Sequence, residues 1–185
     1  VLAIFSPTDV AITGAALTVF NTLSVVTDGN NAFAAASFGI YTLLFLALSL
    51  IHRTPVLGYL PAVYLPLAAI FTLEHFRVDA WLPVLTGIAL LYFVGGFALR
   101  AREGWSLVFR NSALALGALF SITALILFKE TGGWYAIVAG LLFIAEMYLR
   151  RNGWFEAGAP ALFTLGMFLI LRDFDAQRVE YHLLA

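Results

Sequence analysis

Polar and apolar positions fall into long blocks along this chain and do not alternate residue by residue. Apolar runs at 10–26, 32–51, 56–73, 80–99, 112–128, 134–149 and 157–171 are separated by short polar stretches. Those stretches read "TDGNN" (27–31), "HRTP" (52–55), "EHFRVD" (74–79), "RAREGWS" (100–106), "KETGG" (129–133), "RRNGWFE" (150–156) and "RDFDAQR" (172–178). A run of roughly 17–25 apolar residues matches the hydrocarbon thickness of a bilayer. None shows the period-two pattern of a barrel strand, and in lipid a lone segment satisfies its backbone only as a helix. The pattern predicts seven transmembrane helices, with an eighth opening near 176. Such short connections force neighbours to run antiparallel. The predicted fold class is therefore all-α, a polytopic transmembrane bundle of tandem antiparallel hairpins in a single domain over 1–185.

Composition agrees with that reading. The chain has 185 residues, 62% hydrophobic and 11% charged, with a mean hydropathy of +0.95. A soluble domain is nearer 45–50% apolar and about 25% charged, so the surplus apolar surface is expected to face lipid. A net charge of -1 leaves no basic field for nucleic acid. With no cysteine, disulfides, thiolate metal sites and cysteine nucleophiles are excluded. Val1 stands where a Met would begin a chain, and "AQRVEYHLLA" (176–185) reads as the opening of a helix, so a fragment of a longer polypeptide is expected.

The runs also resemble one another. Phe33, Trp81 and Trp134 each follow a polar turn, and each has a glycine six positions on, at Gly39, Gly87 and Gly140. The preceding helices share "TGAALTVF" (13–20), "LPLAAIF" (65–71), "LGALFSI" (116–122) and "APALFTL" (159–165). Duplicated hairpins over about 10–54, 56–102, 111–151 and an incomplete 157–185 are expected. Trp81 and Trp134 on one side, with Trp105 and Trp154 on the other, fit two interfacial aromatic belts. The glycines, with Gly117 in a small-xxx-small spacing, are expected to admit a neighbouring backbone.

Turns alternate sides, so cations can be assigned to faces. One face holds Arg53, Arg100, Arg102, Arg110, Arg150 and Arg151, and the other Arg77, Lys129, Arg172 and Arg178. Basic residues favour the cytoplasmic side, which places the first set inside.

Candidate chemistry is sparse. Glu146 is the ionisable residue inside a run, and an intramembrane carboxylate is a functional candidate by default. The simpler reading pairs it with Arg150 one turn later, both groups reaching toward the interface. Asn21, with Thr18, Thr22 and Ser24, makes the first run the most polar; interhelical hydrogen bonds account for this, with a substrate path as the alternative. His52, His75 and His182 lie near run ends without metal-ligand spacing. Each is a weak candidate to hold a haem or pigment, and an interfacial role is simpler. Pro61 and Pro66 should kink their helix or free carbonyls, without a polar side chain nearby. Asp173 and Asp175 read as a solvated turn. No Walker, Rossmann, GxSxG or paired-carboxylate arrangement occurs.

Through "DAWLPVLTGIALLYF", "GGWYAIVAGLLF" and "RNGW" the chain resembles large multi-span bacterial membrane proteins built of repeated helical hairpins. That resemblance implies a bacterial inner-membrane location and carries no catalytic residue across. Three functions follow. The first is a non-enzymatic scaffold or accessory subunit, touching lipid and other transmembrane chains or further parts of its own chain. The second is a transporter or lipid/polyprenol-handling enzyme whose active residues lie outside this fragment. The third is a pigment- or haem-binding subunit. No metal, catalytic residue or resident cofactor is predicted.

Overall fold

A computed structural model describes residues 13–14, 17–18, 21–22, 24–27, 29–127, 132–150 and 154–173, apart from the side chains of 154–157 and 173. It is all-helical among those residues. The elements are α1 (Asn31–Ile51), a 3-10 turn (Pro55–Gly58), α2 (Tyr59–His75), α3 (Trp81–Ala98), α4 (Glu103–Ile126), α5 (Gly132–Arg150) and α6 (Trp154–Asp173). Among the described residues, five segments are long and apolar enough to cross a bilayer: α1 to α5, with the 3-10 turn continuous with α2. The apolar part of α6 is shorter, Gly158–Arg172. The run at 10–26 is described only in part, and its described residues are helical.

Helix ends follow local chemistry. The Asn30 side chain accepts from Phe33 N–H at 3.1 Å and caps the start of α1. At the end of α1, Thr54 N–H reaches Ser49 O at 3.1 Å and Arg53 N–H reaches Leu50 O at 3.3 Å. At the end of α2, Val78 N–H reaches Leu73 O at 2.9 Å and Arg77 N–H reaches Glu74 O at 3.1 Å. Both closures are Schellman motifs, whose left-handed position normally takes glycine. Here arginine fills it, with φ of 52° at Arg53 and 55° at Arg77. A cation at a helix C-terminus meets the negative end of the dipole and offsets part of that strain.

The tightest pairs are α1 with α2, α3 with α4, and α5 with α6, while α2 and α3 touch only sparingly. Within 56–102, which the sequence pattern reads as one hairpin, α2 and α3 are consecutive but share the fewest contacts of these neighbouring helices. Two cores result. Phe38, Phe45, Tyr64 and Ala68 fill the space between α1 and α2. Leu85, Ala89, Tyr92, Ala113, Phe120, Ala139 and Leu142 join α3, α4 and α5.

The largest departure from the sequence pattern is the start of α4. The apolar run begins at 112, yet the helix begins at Glu103 and is 24 residues long. Glu103 in its first turn suits the dipole. Ser106, Val108 and Ala113 are buried along it. Arg110, assigned above to a turn, therefore lies two turns inside a helix.

Candidate functional site

The extension of α4 brings Arg110 against α5, where it meets Glu146. Arg110 Nε donates to Glu146 Oε2 at 2.9 Å and Oε1 at 3.2 Å, and Nη2 donates to Oε1 at 2.6 Å. Arg150, one turn beyond Glu146 on α5, forms a second ion pair through Nε with Oε1. Its Nη2 donates to Asn111 Oδ1 at 2.8 Å, and Asn111 Nδ2 donates to Tyr59 Oη at 2.9 Å. Three helices, α2, α4 and α5, are thus tied at one end of the bundle.

Burial decides what this cluster can do. The Glu146 side chain is 0% exposed, against 12% for Arg110 and 22% for Arg150. Glu146 does not reach out to the interface with Arg150, as expected above; it turns inward and Arg110 comes to it. Removing one partner of such a pair costs about 3–5 kcal/mol, because a charge is stranded away from water. A proton or ion carrier must exchange with water, and here both carboxylate oxygens are covered by guanidinium N–H groups. The arrangement is suited to clamping helices.

Gly96 sets the approach that makes the clamp possible. A Cβ at Gly96 would lie 2.6 Å from Arg110 Cγ and 3.0 Å from Ser106 O. Ser106 Oγ also donates to Gly96 O at 2.7 Å. The end of α3 therefore rests directly on the first turns of α4 and holds the stem of Arg110.

The other sequence candidates are dispersed. His52 caps α1 and His75 ends α2, at opposite ends of the bundle and both exposed, so they do not converge. His182, Arg151 and the Trp154 side chain lie outside the described residues. Asn21 Nδ2 donates to Tyr41 Oη at 2.6 Å, and the Thr22 and Tyr64 hydroxyls are 3.2 Å apart. Trp81 packs partly on the larger core, Trp105 covers Gly58, and Trp134 is exposed. Arg53 and Arg102 line one recess with Trp105, so these two arginine turns share one end.

Glycine packing differs from expectation. Among the described residues, a Cβ at Gly39 or Gly87 would meet nothing within 4 Å, so neither serves there as a close-packing point. Gly117 does face Ala139 at 3.2 Å, and Gly140 faces Phe163 at 3.3 Å. The closest backbone approach among the described glycines is at Gly133 and Gly166, which the pattern did not single out. A Cβ on Gly133 would lie 2.6 Å from Gly166 O, and one on Gly166 would lie 2.8 Å from Gly133 O.

Pro66 has a polar companion after all. Its missing N–H leaves Ala62 C=O without a helical donor, and Tyr92 O–H from α3 donates to that carbonyl at 3.2 Å.

Fold and site together define an all-helical chain with membrane-length apolar spans and an ion-paired clamp at one end. Compared with known proteins, the chain matches no family model, no curated protein and no solved structure.

Proposed function

We propose that this chain is an integral membrane protein acting as a non-enzymatic scaffold or accessory subunit. One observation carries the reading: Glu146, the fully buried carboxylate of the spans, is taken up by Arg110 and Arg150 and not directed into a cavity. Broad apolar flanks on several helices, such as Ile40, Leu43 and Leu44 on α1, suit contact with lipid or further transmembrane chains. The end carrying Arg53, Arg102 and Arg150 faces the cytoplasm in this reading.

Proteoliposomes test it. Vesicles carrying the chain should show no proton or cation flux above empty vesicles under an imposed pH gradient. A flux abolished by Glu146→Gln, with insertion intact, would replace the scaffold with a transporter. Because the chain lacks cysteine, single-cysteine variants at 53 and 77 report orientation. Impermeant maleimide added to intact cells should label position 77 and spare position 53; the reverse pattern would invert the topology.

A further inference from the structure

Two helix closures in this chain are built alike and charged unlike. Arg53 after α1 and Arg77 after α2 hold the same left-handed position, where glycine would sit without strain. Each lines a recess. The recess at Arg77 also holds the carboxylates of Glu74 and Asp79, with Trp81 beside them. The recess at Arg53 holds a second arginine, Arg102, with Leu50 and Trp105, and no acid lines it. Glu103 follows Arg102 in the chain but stands outside that lining. Among the described residues, neither Arg53 nor Arg102 makes an ion pair or hydrogen bond through its side chain.

Packing fixes the recess. A Cβ on Gly104 would lie 2.8 Å from Pro55 Cγ, and one on Gly58 would lie 3.1 Å from the Trp105 ring. The turn that carries Arg53 is therefore docked on the first turn of α4, with Arg102 at its N-cap. Two guanidiniums lining one recess without a counter-charge repel each other, and both residues are exposed. An anion that meets both relieves the repulsion, and phosphate oxygens suit the paired N–H groups of a guanidinium. Position names the source of that phosphate. Leu50 and Ile51, 55% and 72% exposed, bring apolar surface up to the arginines, and tryptophan belongs at headgroup depth. A zwitterionic headgroup would add its own ammonium to two cations, whereas an anionic one would not.

We propose that Arg53 and Arg102 hold the phosphate of an anionic phospholipid, whose hydrocarbon passes Leu50. The inference rests on the bilayer placement above and gives one end of the bundle a headgroup site.

Tryptophan quenching tests it. Two forms of the chain each keep one tryptophan, Trp105 or Trp81, with the remaining tryptophans changed to Phe. Each is reconstituted in mixed phosphatidylglycerol and phosphatidylcholine vesicles, with bromine on the upper acyl chain of one lipid or the other. Quenching of Trp105 should favour phosphatidylglycerol about five- to twentyfold in association constant, and quenching of Trp81 should not favour it. Arg102→Gln should lower the Trp105 preference about fivefold and leave Trp81 unchanged. Arg53→Gly should do the same with the fold retained, because glycine suits a φ of 52°. A preference as large at Trp81, or one at Trp105 indifferent to both arginine variants, would overturn the site. Loss of the preference in sodium phosphate, but not in sodium chloride of equal ionic strength, would replace the lipid with free phosphate. No quenching of either tryptophan by either lipid would overturn the bilayer placement itself.

Discussion

The α1–α2 hairpin and the α4–α5–α6 region hold their helices together by opposite means. In the first, rings fill the gap between backbones. Tyr64 stacks on both Phe38 and Phe45, with centroids 5.9 Å away in each case and planes 15° apart. Phe38 and Phe45 are two helical turns apart on one face, so a single ring bridges them. In the second region the gap is removed. Gly133 lies against Gly166, Gly132 against Ala124 and Gly117 against Ala139, and the Arg110–Glu146–Arg150 cluster closes one end. Lipid is as apolar as leucine, so neither region gains by hiding hydrocarbon from water. Both depend on contact quality: aromatic pairs worth about 0.5–1.5 kcal/mol each beyond area, or close backbone packing with a polar lock. The first mode tolerates trimming, and the second does not.

The largest effect is expected at the lock. Glu146→Gln should destabilise the chain by about 3–5 kcal/mol, read by chemical unfolding in mild detergent, because two guanidiniums lose their counter-charge. Combining Arg110→Met, Glu146→Leu and Arg150→Met should recover most of that loss, as apolar side chains need no partner. A triple variant as unstable as Glu146→Gln would show the charges to be indispensable.

Next comes the glycine contact. Gly133→Ala should cost about 1–3 kcal/mol by forcing α5 from α6, whereas Gly39→Ala should be neutral or gain about 0.5–1 kcal/mol from helix propensity. Similar losses at both sites would erase the distinction between the regions.

Tyr92→Phe probes the seam at Pro66. It strands Ala62 C=O and should cost about 1–3 kcal/mol. Changing Pro66→Ala alongside supplies the missing N–H, so the loss should shrink in the double variant; an unchanged loss would place the role of the hydroxyl elsewhere.

The smallest effect belongs to the aromatic hairpin. Tyr64→Phe keeps both stacks and removes only the contact with Thr22, worth about 0.6 kcal/mol. A loss above about 2 kcal/mol would mean that polar contacts, not rings, hold this hairpin too.

Helix content and its membrane-length character were legible in the apolar runs, because block length survives any detail of packing. The start of α4 was not. Arg102, Glu103 and Arg110 dilute hydropathy enough to resemble a turn, though Trp105, Val108 and Phe109 have helical spacing. Partner choice was hidden for a deeper reason. Where both lipid and core are apolar, the buried face of a helix carries no compositional contrast with the outer face. That is why Gly39 and Gly87, conspicuous in sequence, meet no other described residue closely while Gly133 and Gly166 meet. Glu146 was visible as an anomaly and Arg150 as a partner by spacing. Arg110, 36 residues away, could be matched to it only once α4 was known to begin at Glu103.

The central claim is that Arg110 and Glu146 act on each other as a structural clamp between α4 and α5. A double-mutant cycle of Arg110→Met and Glu146→Gln, measured by reversible unfolding in bilayer-like micelles, isolates that interaction. A coupling of about 2 kcal/mol or more is predicted. Losses that simply add, within about 0.5 kcal/mol, would contradict the clamp.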